Sequence, residues 1–210
     1  MTDFYGFSIF VVASWALIVT PGPDLIYVTT QSIARGRKAG FVSALGITAG
    51  IFFHTMFAAF GISVILQTSS FAFFLIKITG AFYLIYLGIK GLRDKAPLLP
   101  GNSHTGQPTL FKIFIQGLMS NLFNPKVALF FLAFLPQFTS TDLGYIPLQI
   151  VLLGSIFAFF CIFFLAGISY FSGNLGNWLA KQPLLAKRIK RFSATIMIFL
   201  GLNIATSTQR

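Results

Sequence analysis

Six apolar stretches recur along these 210 residues, at about 4–33, 39–66, 69–91, 111–138, 145–172 and 189–207. A helix of ~20 apolar residues crosses the ~30 Å hydrocarbon core of a bilayer. Inside hydrocarbon every backbone polar group must be satisfied within the segment, which leaves helices for runs of this length. The expected fold is therefore an all-α integral membrane protein. Composition agrees where it matters: 56% of residues are hydrophobic, 9% are charged and 27 are Phe, which excludes a soluble domain. Six spans fill nearly the whole chain, so 1–210 reads as one transmembrane domain without a soluble appendage. No basic residue precedes the first apolar run, so it reads as a retained first span and not as a cleaved leader.

The net charge of +11 looks like a nucleic-acid signal until its distribution is followed. Arg35, Arg37 and Lys38 lie between spans one and two. Lys90, Arg93, Lys95 and Lys112 flank the link between spans three and four, and Lys181, Lys187, Arg188, Lys190 and Arg191 lie between spans five and six. The two remaining links, near 67–69 and 139–145, hold no Lys or Arg, so twelve of fifteen basic residues fall on alternate links. The positive-inside rule assigns those links to the cytoplasm and both termini to the outside. Basic links also attract anionic lipid. No soluble basic face exists for nucleic acid. Residues 174–191 mix Trp178 and leucines with five cations, the pattern of a segment lying in the membrane interface.

Two spans are interrupted. The first reads T-P-G-P-D (Thr20, Pro21, Gly22, Pro23, Asp24) and the second N-P-K (Asn124, Pro125, Lys126). Proline removes a backbone hydrogen bond and clashes with the preceding turn, so spans one and four are expected to be broken helices. Asp24 and Lys126 are 102 positions apart, at corresponding places in the two halves. Three spans per half send the second half into the membrane from the opposite side. The expected architecture is two inverted three-helix repeats, about 1–92 and 111–210, joined by a Pro- and Gly-rich cytoplasmic link at about 93–110 that contains His104. Paired broken helices in such repeats are the sequence-level pointer to a transport site near the midplane. At 1.5 Å per residue Asp24 lies ~16 Å from the cytoplasmic end of its span and Lys126 ~21 Å from the same side.

Only Asp24, Lys77 and Lys126 carry charge well inside spans, and such charges are costly, by at least ~2.5–3.5 kcal/mol each. Asp24 has a structural reading, because a carboxylate in the first turn of a half-helix starting at Pro23 suits the helix dipole. Lys126, in the first turn after Asn124 and Pro125, opposes its dipole and is not explained that way. A structural ion pair between the two is the competing reading. Lys77 has a site role or snorkels outward from span three. Gln116, Ser120 and Asn124 form a four-residue polar stripe leading to the second break, with Asn121 beside it, and Asp24, Tyr27 and Gln31 have similar spacing. Gly46, Gly50 and His54 share a face of span two, the glycines as a close-packing pair. His54 either relays protons or binds substrate, or is a hydrogen-bonded packing residue. Cys161 is the one cysteine and reads as a small buried hydrophobe.

No catalytic constellation appears. The chain has no Glu, no paired carboxylates within spans, no metal-ligand spacing and no phosphate-binding glycine loop, so an enzyme, a resident metal and a cofactor are not expected.

The motifs T-P-G-P-D-L-I-Y-V, R-G-R-K-A-G-F-V-S-A-L-G-I-T-A-G, G-A-F-Y-L-I-Y-L-G and N-L-F-N-P-K-V-A-L-F-F-L-A-F-L-P-Q-F together resemble the lysine-exporter family, with its homoserine/threonine-efflux branch closest. The resemblance covers the chain in length and order, although nothing beyond Gln137 matches a motif. It implies export of amino acids across the bacterial inner membrane, driven by an ion gradient. Its motif residues here are Pro21, Gly22, Pro23, Asp24, Asn124, Pro125 and Lys126. The combined expectation is a secondary exporter of a small amino acid or derivative, with a coupling proton, whose ammonium lies near Asp24 and whose carboxylate lies near Lys126 and the free N–H groups of the half-helix starting there. Export of a metal cation or another small solute is the alternative. Phe-rich faces suit lipid or a homodimer interface.

Overall fold

The computed structural model describes residues 4–62, 70–93, 109–140 and 144–180, with positions 188, 191–192, 194–195, 198–199, 201–202 and 205–206. Among them every regular element is helical. Helix α1 (Phe4–Val19) meets α2 (Pro23–Arg35) at a bend of 51°. The bend follows from the chemistry at 21–23, where two prolines remove the N–H groups that Leu17 and Val19 would have bonded. Gly36, at φ +84, is the single residue between α2 and α3 (Arg37–Met56). Only glycine takes that φ without strain, and it lets one helix stop and the next begin at once.

Helix α3 runs on through a π-helical stretch, Phe57–Ile62, and its Arg37–Gly61 portion is long and apolar enough to cross a membrane. Helix α4 (Ser70–Arg93) follows, then α5 (Leu110–Leu122), whose first turn is capped by the Thr109 hydroxyl accepting from the Lys112 N–H at 3.3 Å. Helix α5 bends by 49° at Asn124 into α6 (Pro125–Leu129), which continues as a π-helical turn, Phe130–Phe134, and a 3-10 turn, Leu135–Phe138. Helix α7 (Ile146–Ala180) is the longest at 35 residues.

The expected breaks in spans one and four are therefore present. Two unbroken helices and two bent pairs among the described residues are long and apolar enough to cross a membrane. Helix α7 continues without interruption to Ala180, so the first part of the expected interfacial segment at 174–191 is helical, and 181–187 lie outside the described residues. The link at 94–108, with Lys95 and His104, also lies outside them.

Glycine faces set the packing around the breaks. A Cβ on Gly46 would collide with the Phe114 carbonyl, one on Gly50 would come within 2.6 Å of Asn121 Oδ1, and one on Gly117 within 2.7 Å of the Ser43 carbonyl. Helices α3 and α5 thus meet backbone to backbone, as the Gly46–Gly50 spacing predicts. Gly154 of α7 is closed over by Thr55, and Gly80 of α4 by Ala133. Hydroxyls buried in these contacts return to their own helix: Ser32, Ser43 and Thr55 donate to carbonyls four residues back at 2.7–2.8 Å.

Beyond the second break the core is aromatic. Phe130 meets Phe134 tilted at 4.8 Å and Phe134 meets Phe138 edge-on at 4.7 Å, Phe10 of α1 meets Phe138 at 5.7 Å, and Phe157 of α7 meets Phe130 and Phe131 at 5.2 and 5.3 Å. The Phe-rich composition is thus divided, part into this buried cluster and part onto outward faces at Phe52, Phe57, Phe159 and Phe163.

Candidate functional site

The two breaks face each other and complete each other's hydrogen bonding. Pro21 cannot donate to the Leu17 carbonyl, and that carbonyl instead accepts from Lys126 Nζ at 2.8 Å. The same ammonium donates to the Thr20 carbonyl at 2.9 Å. Pro125 likewise cannot donate to the Asn121 carbonyl, which accepts from the Asn124 N–H at 2.9 Å and lies 3.1 Å from His54 Nε2. Because a carbonyl only accepts, His54 must carry its proton on Nε2 for that bond.

Lys126 therefore has a structural account that its own helix did not offer. It opposes the dipole of α6 but sits at the C-terminal, negative end of α1, where a cation is stabilised. The expectation that helix stability leaves Lys126 unexplained is corrected: the helix it stabilises belongs to the other half of the chain. Two of its three donors are used in this way. Gly22 leaves room for it, since a Cβ there would stand 3.3 Å from Nζ.

Asp24 is held from the opposite direction. It lies in the first turn of α2, and its Oδ2 accepts from Asn121 Nδ2 at 2.8 Å and Asn124 Nδ2 at 3.1 Å. Its Oδ1 takes only a long bond from the Ser120 hydroxyl, 3.4 Å, and so retains capacity. Asn124 serves both breaks, since its Oδ1 caps α6 by accepting the Lys126 N–H at 3.1 Å while its amide donates to Asp24. That cap corrects a second expectation. The first available N–H of α6 is occupied, whereas α2, with Gly22 as its N-cap, has no side-chain cap. The hydrogen bonds of Asp24 and Lys126 go to these third parties, so a direct ion pair is not what holds either in place.

The other polar residues sort around this pair. Ser120, Asn121 and Asn124 gather at Asp24. Gln116 does not: it lies a turn away, where the Tyr27 hydroxyl, with one proton to give, lies 3.1 Å from Gln116 Oε1 and 3.0 Å from the Ile113 carbonyl. Helices α2 and α5 are thus joined by successive polar rungs. Gln31, the next residue on that face of α2, is buried with Oε1 unpartnered. Lys77 belongs to α4, and its side chain lies outside what is described. Among the described residues no three of His, Cys, Asp and Glu gather into a metal-ligand set.

Between the breaks lies a cavity of about 30 Å³. Thr20, Gly22, Asp24, Asn121 and Lys126 form its polar side, and the α7 residues Phe157, Cys161 and Leu165 form an apolar side. The α7 contribution was missed in the sequence, where Cys161 reads only as a buried hydrophobe. Its one signal is the four-residue spacing of 157, 161 and 165, hidden in a helix that is apolar all round. The volume suits a water or two, whereas sites for small molecules commonly measure ~300–1,000 Å³. At this volume the cavity does not hold a larger solute.

Comparison with known proteins gives this geometry a family. The chain is 29% identical to an uncharacterized membrane protein of Bacillus subtilis over 199 residues, covering 91% of this chain and 94% of the relative. It is 28% identical to an uncharacterized membrane protein of Pseudomonas aeruginosa, covering 99% and 97%. It is 25% identical to a leucine efflux protein of Salmonella typhimurium, covering 94% and 93%. No solved structure matches. The profile of the LysE type translocator family matches residues 15–208, nearly the whole chain, and the chain belongs to that family of membrane translocators, which are transporters and not enzymes.

Proposed function

We propose that this protein is a secondary exporter of small amino acids, with the cavity between the two breaks as its substrate site. The observation that carries the reading is the convergence of one carboxylate, Asp24, and one ammonium, Lys126, on a single cavity from residues 102 apart. A zwitterion matches that pair. Its ammonium is placed against Asp24 Oδ1, the oxygen with unspent capacity, and its carboxylate against the third donor of Lys126 and the uncapped first turn of α2. A relative that bears the name leucine efflux protein, aligned over 93% of its length, supports an amino acid as the solute.

In this reading the chain forms six spans in two inverted repeats, in the bacterial inner membrane, with the basic links in the cytoplasm and both termini outside. Export follows from rocking of the repeats about the cavity, driven by the proton motive force. Asp24, the one acid within the spans, is the candidate proton carrier. A homodimer is compatible with the exposed phenylalanine faces.

The test is efflux from cells overexpressing the chain and loaded with amino acids supplied as dipeptides. Faster loss of one or a few amino acids is expected, abolished by an uncoupler and by Lys126→Gln at unchanged membrane abundance. Unchanged efflux of every amino acid, or full activity in the variant, overturns the reading.

A further inference from the structure

Two directions lead away from the cavity, and they are built differently. On one side Phe10, Phe130, Phe131, Phe134 and Phe157 close α1, α7 and the π-helical turn together, none of them more than 2% exposed. On the other side the seam between α2 and α5 is polar. Three residues past Asp24, about 4.5 Å along α2, the Tyr27 hydroxyl stands between the Ile113 carbonyl and Gln116 Oε1. One turn further Gln31 is 9% exposed, and its Oε1 is buried with no hydrogen-bond partner in the protein. Gln116 is exposed. A buried acceptor without a donor and an exposed amide within a span suit water or a polar solute, and suit neither lipid nor a packed core.

The seam runs toward the ends of α2 and α5 that carry Arg35 and Lys112, which the positive-inside rule assigns to the cytoplasm. Between Asp24 and Arg35 α2 has no charged side chain, and α5 has none beyond Lys112. A zwitterion on this path meets hydrogen-bonding groups but no fixed charge that would hold it short of Asp24. Tyr27 is the side chain that crosses the path. Gly117 of α5 lies under its ring, where a Cβ would stand 3.4 Å from Cε1. Helix α5 is fixed backbone to backbone on α3, whereas α2 is bounded by glycine at both ends, Gly22 and Gly36. Residues at element ends absorb the dihedral changes of a hinge, so α2 is the member of the seam placed to move.

We infer that the seam between α2 and α5 is the cytoplasmic route to the cavity and that Tyr27 is its latch, parting from α5 when a solute enters. The inference deepens the proposed function and rests on it for the identity of the solute.

The experiment uses the full-length chain with Cys161, its one native thiol, replaced by alanine, and a single new thiol at Gln116→Cys or Gln31→Cys. A permanently cationic methanethiosulfonate is added to inside-out vesicles, which present the cytoplasmic face, and to right-side-out vesicles. The thiolate is the reactive form, so a thiol in hydrocarbon or in a packed interface is not modified. Both positions should be modified from the cytoplasmic face and neither from the outer face. Adding Tyr27→Phe, which keeps the ring and removes one hydrogen bond, should speed modification of Gln31→Cys by about two- to tenfold and leave Gln116→Cys within about twofold. Rates are read per molecule in the membrane, so a change in abundance does not imitate the result. Modification of Gln116→Cys should also stop amino-acid uptake into the inside-out vesicles, and dithiothreitol should restore it. No modification from either face, or modification from the outer face alone, overturns the route while amino-acid uptake leaves the proposed function standing. An unchanged Gln31→Cys rate in Tyr27→Phe overturns the latch. Cytoplasmic modification in a protein that moves no amino acid upholds the route and overturns the solute.

Discussion

The two broken spans solve the same problem in different ways. At the second break the solution is largely local: Asn124 caps α6 through its side chain, its N–H returns to the Asn121 carbonyl, and His54 adds a donor from α3. At the first break two prolines remove more donors, Gly22 brings no capping side chain, and the carbonyls of Leu17 and Thr20 depend on Lys126, more than a hundred residues away. A buried unsatisfied carbonyl costs about 1–3 kcal/mol. Undocking the second half would therefore cost the first break about 1–3 kcal/mol for each carbonyl left bare. An element whose bonding depends on contact between two halves is one whose geometry changes when those halves move. A break closed within its own span has less reason to change.

Removing Lys126 should have the largest effect. Lys126→Met leaves two carbonyls without a donor and Asp24 without a neighbouring cation, and removing one member of a buried charge set costs about 3–5 kcal/mol. We expect efflux to be lost and the thermal transition of the detergent-solubilised protein to fall sharply. A near-native transition would mean that α1 ends stably without the cross-brace.

The second break should tolerate more. Asn124→Ala loses a cap worth about 1 kcal/mol together with one of the amides on Asp24. Partial efflux with a modest loss of stability is expected, and collapse comparable to that of Lys126→Met would show that the second break is no more self-sufficient than the first. His54 should matter least. His54→Phe removes one of two donors to the Asn121 carbonyl, worth about 0.5–1.5 kcal/mol, and His54→Gln, whose amide donates, should recover most of it. A proton relay through His54 would leave both variants without gradient-driven efflux, a result that separates relay from packing.

How much of this could be read beforehand depended on whether side-chain identity carried the information. The breaks were legible because proline writes them directly, at Pro21, Pro23 and Pro125. The approach of α3 to α5 was legible because Gly46 and Gly50 lie one turn apart with no side chain to hold the helices off. Ser120, Asn121 and Asn124 were legible as polar exceptions on an apolar helix. The partners of Lys126 were not, because they are backbone carbonyls, which every residue has, and only the fold says which of them lack donors. The α7 face was hidden for a related reason: in a helix apolar on every side, periodicity does not distinguish the cavity wall from the lipid face.

On this structure the breaks in the two halves complete one another across one cavity. A double-mutant cycle tests it most directly, with unfolding free energies measured for wild type, Asp24→Asn, Lys126→Met and the double variant in one detergent. Residues that share a site couple by about 0.5–3 kcal/mol, whereas independent ones add to within about 0.5 kcal/mol. We predict coupling of at least about 1 kcal/mol, with the double variant more stable than the sum of the single losses allows. Strict additivity would instead leave the two broken helices as separate, uncoupled features of the chain.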